Sequence, residues 1–139
     1  MQTRAPLPAK IKILMVDDSA VVREGLKYIL SQAPELQVSA EASCVPEALE
    51  RLKNQHFDVI LLDLSLPGQS GIELLRMVKA NTPFPLVLVV SASGEDQSGI
   101  QVFKAGADGF ILKQNVPEAL IPAIWQVLGG KKYFSFTPS

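Results

Sequence analysis

The stretch Phe57-Asp58-Val59-Ile60-Leu61-Leu62-Asp63 decides how this chain folds. It is short, apolar throughout its middle, rich in branched residues and closed by an acid. Such a run predicts a strand buried on both faces, as in a parallel sheet covered by helices. Two further runs have the same character, at 11–16 and 86–90, each followed by polar or turn residues. Weaker runs at 36–42 and 109–112 fit flanking strands, which makes five strands.

The intervening stretches carry helical spacing: Val22, Leu26, Ile29 and Leu30; Ala48, Leu49 and Leu52; Ile72, Leu75, Met77 and Val78. Alternating strands and helices imply right-handed parallel crossovers. A fourth helix is expected over about 96–105 with Gly99 inside it, which costs about 1 kcal/mol relative to Ala and makes this the least secure element. The last helix starts near Pro117 and stops at Gly129 and Gly130, and Pro122 within it predicts a kink.

Composition bounds the function classes. The chain has 139 residues, 47% hydrophobic and 19% charged, the balance of one compact domain. A formal net charge of -1, with no basic run, disfavours direct nucleic-acid binding by this segment. The single cysteine, Cys44, excludes an internal disulfide and fits a reducing, cytoplasmic address. The first residues hold no signal-like apolar run, and no later segment reaches membrane-spanning length. The expected division is a flexible lead-in over 1–9, the domain over 10–130, and a tail or the start of an interdomain linker over 131–139.

Ligands of open parallel sheets bind beyond the carboxyl ends of the strands, where strand order reverses. The residues that follow those ends are Asp17 and Asp18, then Asp63, Ser91 and Lys113. Gathered at one edge, the carboxylates would repel one another, and a raised pKa or a bound cation resolves that. An all-oxygen set suits Mg²⁺, which takes a few carboxylates, water and a phosphate. A carboxylate there could attack phosphorus while Mg²⁺ and the Lys113 ammonium neutralise the phosphoryl oxygens and Ser91 donates a hydrogen bond. Taken singly, each acid or serine after a strand is more often a helix cap, and Asp18 or Ser19 fits that role. Their joint occurrence after four strands favours chemistry. Asp58 is the rival nucleophile, but at about 3.3 Å per residue it lies roughly 16 Å from Asp63, at the opposite edge.

These residues carry a resemblance. Ile13-Leu14-Met15-Val16-Asp17-Asp18, Leu61-Leu62-Asp63-Leu64-Ser65-Leu66-Pro67-Gly68, Val90-Ser91-Ala92 and Gly106-Ala107-Asp108-Gly109-Phe110-Ile111-Leu112-Lys113 together resemble the receiver domain of two-component response regulators. The resemblance implies a doubly wound, flavodoxin-like α/β fold with strand order 2-1-3-4-5 and five helices. It also implies that Asp63 is the phosphoacceptor and that Asp17 and Asp18 hold Mg²⁺ together with Asp63 and the Ser65 backbone carbonyl. Ser91 is then the switch hydroxyl, Lys113 the phosphate-contacting lysine, and Phe110 an aromatic that turns inward on activation. The implied partner is a histidine kinase or phosphotransfer protein.

Three positions depart from the common pattern. Gln114 stands where many receivers have proline, Gln69-Ser70 precedes Gly71 in place of an acid or Asn, and Phe110 lacks a tyrosine hydroxyl. The stretch 123–135 resembles the receiver end of the NarL/LuxR-type branch, whose members continue into a DNA-binding output domain. The expectation is a receiver from a transcription factor, with a stand-alone receiver acting through protein contacts as the alternative.

Phosphorylation is expected to act on the face made by the fourth helix, the fifth strand and the fifth helix. Leu120, Ile121, Ile124, Trp125, Val127 and Leu128 cover more of the fifth helix than one core stripe requires. Either part of that helix meets a partner or a second copy of the chain as a homodimer, or the aromatic tail of Tyr133, Phe134 and Phe136 folds over it. Two rival functions lack a residue that each requires. An aspartyl-phosphate hydrolase enzyme needs a second acid where Ser65 stands, and a flavin carrier needs a phosphate cradle where Asp17-Asp18 stands. His56, the only histidine, precedes the third strand and reads as a surface residue.

Overall fold

The computed structural model describes residues 10–80, 82, 84–92 and 96–134. In chain order the elements are β1 Ile11–Val16, α1 Ala20–Leu30, β2 Leu36–Ala42, α2 Val45–Asn54, β3 Val59–Leu62, α3 Gly71–Lys79, β4 Leu86–Ser91, α4 Asp96–Lys104 and β5 Gly109–Leu112. A 3₁₀ turn over Lys113–Asn115 leads into α5, Val116–Leu128, and a two-residue strand β6, Tyr133–Phe134, closes the described part. The strands form one parallel sheet in the order β2-β1-β3-β4-β5-β6. The expected α/β architecture holds, and the five expected strands become six.

The apolar runs at 13–16, 59–62 and 86–90 follow from two-sided burial. Successive side chains alternate across the sheet, so Leu14 and Val16 pack with Ile60, Leu62, Val87 and Val89 on one face, with Ala48 of α2, Leu74 and Leu75 of α3 and Val102 of α4. Ile13 and Met15 pack on the other face with Leu61, Leu88, Val90 and Ile111, against Leu26 of α1 and Leu120 and Ile124 of α5. The helices thus divide between the two faces. Met77 and Leu49, which share the helical spacing, lie 47% and 37% exposed and belong to the outer edges of their helices.

Helix α5 runs unbroken through Pro122, with Pro117 in its first turn and Gly129 as its C-cap. The tail meets one expectation in part. Tyr133 and Phe134 pair with Gly109 and Phe110 as a sixth strand, and Tyr133 packs with the cluster that holds Leu120 and Ile124 of α5. Phe134 packs edge-on against Phe103 of α4, with ring centroids 5.1 Å apart, on the face away from α5. Trp125 stays 41% exposed on α5, and Phe136 lies outside the described residues. No helix among the described residues is long and apolar enough to cross a membrane.

Candidate functional site

Strand order reverses between β1 and β3, since the chain leaves β1 for β2 on one side and returns to β3 on the other. The crevice beyond the carboxyl ends of these neighbours is the expected ligand site of such a sheet. The register pairs Val16 with Leu62, so the acids that follow, Asp17 and Asp63, leave the sheet side by side. The Asp63 amide donates to the Val16 carbonyl at 2.9 Å and the Asp17 amide to the Ala42 carbonyl at 3.0 Å.

Asp17 and Asp63 are buried, at 3% and 5% exposure, whereas Asp18 is exposed. The three carboxylates each offer an oxygen within 4.8 Å of the others, a grouping able to hold a metal ion. Lys113 points its ammonium at two of them, with Nζ 3.3 Å from Asp17 Oδ2 and 3.5 Å from Asp63 Oδ2. Local turns aim the acids: the Ser19 amide donates to Asp17 Oδ1 at 2.9 Å and the Ser65 amide to Asp63 Oδ1 at 3.1 Å. Ser19, not Asp18, caps α1, its Oγ accepting from the Val22 amide at 3.2 Å.

Burial pushes the Asp63 carboxyl above the usual range, and repulsion from Asp17 adds to it. The Ser65 amide and the Lys113 ammonium pull the other way without cancelling the effect. Burial alone would lower Lys113, but Asp63 and Asp17 outweigh it and hold the ammonium charged, above its ordinary value. The site is therefore short of positive charge: one ammonium faces three carboxylates.

Ser91 ends β4 with 5% exposure and pairs in register with Leu112, the residue before Lys113. Phe110 pairs with Val89 and is 3% exposed, inside the core. The Lys113–Gln114 bond lies in the 3₁₀ turn, and the described residues hold a single cis peptide elsewhere, at Phe84–Pro85. Asp58 stands at the other end of β3, where its Oδ2 accepts from the Lys12 amide at 2.8 Å and its Oδ1 lies 3.2 Å from His56. It takes no part in the acidic group, and His56 is exposed.

Two contributors belong to none of the sequence motifs quoted above. Gly71 opens α3 against the β3 end, where a Cβ would collide with the Asp63 carbonyl oxygen and the Leu64 Cα. Its amide donates to the Leu64 carbonyl at 3.0 Å, so α3 starts in direct contact with the backbone that carries Asp63. Arg23 reaches back from α1 to donate to the Asp17 carbonyl oxygen and, through Nε, to Glu41 Oε1 at 2.9 Å. The available signal was Glu41 itself, a charged residue inside a strand, whose counter-ion had to come from a neighbouring element.

Known proteins resemble this chain in sequence and fold. The family model described as the response regulator receiver domain matches residues 13–125. The chain belongs to the response regulator receiver domain family. It is 35% identical over 123 residues to the nitrate/nitrite response regulator protein NarL of Escherichia coli strain K12, which covers 88% of this chain and 57% of that protein. It is also 35% identical over 125 residues to the response regulator GacA of Pseudomonas aeruginosa, covering 90% of this chain and 58% of the relative. The crystal structure of a LuxR-family two-component response regulator from Aurantimonas sp. SI85-9A1 superposes with a TM-score of 0.86 at 31% identity, covering 91% of each chain. This receiver is thus of the NarL/LuxR type and spans a little over half the length of those two curated relatives.

Proposed function

We propose that Asp63 is the phosphoacceptor of a magnesium-dependent switch. The observation that supports this best is the group of three carboxylates within 4.8 Å, one of them buried with a raised pKa, beside the Lys113 ammonium. The donor set fits Mg²⁺. It is made of oxygens alone, the hard ligands that this ion takes, and the three carboxylates already offer oxygens within 4.8 Å of one another. Asp17, Asp18, Asp63 and the Ser65 carbonyl would hold it, with Asp18 the most accessible. When bound, Mg²⁺ supplies charge neutralisation for the carboxylates and for the oxygens of the transferring phosphoryl group.

The chain's own groups then do the following. An ionised Asp63 oxygen attacks phosphorus in line; the P–N bond to a phosphohistidine, or the P–O bond of acetyl phosphate, breaks, and an acyl phosphate forms. Lys113 gives up part of its contact with Asp63 to meet a phosphoryl oxygen. Ser91 donates a hydrogen bond to another. Hydrogen bonds to charged groups contribute about 1.5–3 kcal/mol each, so these two residues supply most of the roughly 5.5 kcal/mol that a near-complete two-state shift requires.

The readout is the face of α4, β5 and α5, with Phe110 as its inner reporter. The donor is a histidine kinase or phosphotransfer protein in the cytoplasm, and the output is transcription regulation through a DNA-binding domain beyond residues 10–130, with a homodimer as the active assembly. Phosphoryl turnover is confined to Asp63 itself. The deciding experiment is intact-mass analysis after acetyl phosphate and Mg²⁺ on wild type and Asp63→Asn. One added phosphoryl group on wild type alone is expected, and equal labelling of both would sink the assignment.

A further inference from the structure

Arg23 has no place in the mechanism above, yet it touches the backbone that carries two of the three acids. Its side chain is only 18% exposed. One arm of the guanidinium donates to the Asp17 carbonyl oxygen, in the peptide that joins Asp17 to Asp18. The other, Nε, donates to Glu41 Oε1 at 2.9 Å. Glu41 is itself held, since Lys27 Nζ lies 2.8 Å from Oε2 and Arg51 Nε donates to the Glu41 carbonyl at 3.1 Å. The far arm of the fork is thus tied to β2, and the near arm pins the peptide between the two acids.

We propose that Arg23 is a positioning residue for the magnesium site, setting the direction in which Asp17 and Asp18 present their carboxylates. This rests on the reading of Asp17, Asp18 and Asp63 as metal ligands. Arg23 is not required to hold α1 in place. That helix is capped by Ser19 and seated by Leu26 and Leu30, at 6% and 2% exposure. The Asp17 carboxylate is already oriented through Oδ1 by the Ser19 amide, so the carbonyl side of the same residue is where a second restraint acts. Only a planar fork spans carbonyl and carboxylate together; a lysine ammonium carries the charge without that geometry.

Mg²⁺ titration by calorimetry on the full chain tests the proposal, with Arg23→Lys and Arg23→Met beside wild type and thermal unfolding as the check on folding. Partners one shell out from a metal typically change its affinity 10- to 100-fold, so a dissociation constant about tenfold weaker is expected for both variants. The Mg²⁺ concentration that half-saturates acetyl-phosphate labelling should rise by the same factor, with labelling at saturating Mg²⁺ within about twofold of wild type. Wild-type Mg²⁺ affinity in Arg23→Lys overturns the proposal, whatever Arg23→Met does, because the charge alone would then suffice. If Arg23→Met does not fold, Arg23→Lys decides. A wild type that binds no Mg²⁺ removes the site reading and this inference together; a wild type that binds it beside an unaffected Arg23→Lys removes the inference alone.

Discussion

Asp63→Asn should make the metal-free protein more stable, because the wild-type site holds a charge that the fold does not welcome. The terms can be weighed from the geometry. At an effective dielectric of about 20, carboxylate oxygens within 4.8 Å of each other repel by about 3.5 kcal/mol or more, and an ammonium 3.5 Å from a carboxylate attracts by about 4.7 kcal/mol. Repulsion from Asp17 and attraction to Lys113 are thus of similar size and largely offset each other. Burial decides the sign, at a cost of several kcal/mol per ion before relaxation and residual solvation reduce it. The raised pKa of Asp63 has that same leading cause. Asparagine keeps an acceptor for the Ser65 amide and gives up the ion pair, which leaves a net gain of about 1–2 kcal/mol. For 139 residues this corresponds to about 3–7 °C in the unfolding midpoint.

The pH dependence carries the same sign. Because the folded-state pKa of Asp63 lies above its unfolded value, the folded chain binds more protons between the two, and wild-type stability falls as pH rises through that window. The penalty is fully present above the folded pKa and absent below the unfolded one. Asp63→Asn lacks this group, so its advantage is largest at neutral pH and closes on acidification. Thermal melts in chelator between pH 4 and 8 measure the gap. Millimolar Mg²⁺ should then raise the wild-type midpoint more than that of the variant. An Asp63→Asn protein that melts at or below wild type at pH 7 in chelator would refute the reasoning.

Lys113→Ala removes the cation that competes with a metal for Asp17 and Asp63, so Mg²⁺ should bind about threefold tighter or better by calorimetry; equal affinity would mean that the ammonium already stands clear of the metal position. Gly71→Ala brings a Cβ onto the Asp63 carbonyl and should cost about 1–3 kcal/mol in urea unfolding, and an unchanged midpoint would mean that the start of α3 can shift freely. Phe134→Ala should cost about 1 kcal/mol and speed hydrogen exchange at the Tyr133 amide, which donates to the Asp108 carbonyl at 3.0 Å; unaltered exchange would show that β6 holds without the Phe103 contact.

The sheet was legible because two-sided burial leaves a run of apolar residues with no polar interruption, and 13–16, 59–62 and 86–90 carry that signature. The acidic group was legible for a related reason: the residue after a buried parallel strand has one place to go, so order along the chain became proximity in space. What stayed hidden depends on contacts between elements distant in sequence. Strand β6 is two residues long, too short for any periodicity, and exists because β5 leaves an edge beside Phe103. Arg23 looks like one more exposed helix charge until β2 brings Glu41 against it, and Gly71 looks like a helix start until β3 brings the Asp63 carbonyl under it.

Those late contacts bear on how a charge at one edge reaches another part of the molecule. Gly109 and Phe110 of β5 pair with Tyr133 and Phe134, and Lys132 ties the same corner by donating to the Ala107 carbonyl at 2.8 Å while sitting over the Phe103 ring. Any shift of Phe110 toward or away from the acidic crevice therefore pulls on a strand that is joined to α4 through Phe134 and to α5 through the Gln126 bond to the Lys132 carbonyl at 2.7 Å. A two-residue strand resists with few hydrogen bonds, so it is among the first pairings to yield when β5 moves. The same parallel sheet thus buries a rigid centre at β1 and β3, where the charge must be held in place, and ends in a weakly held margin at β6, where a small displacement has the least to overcome.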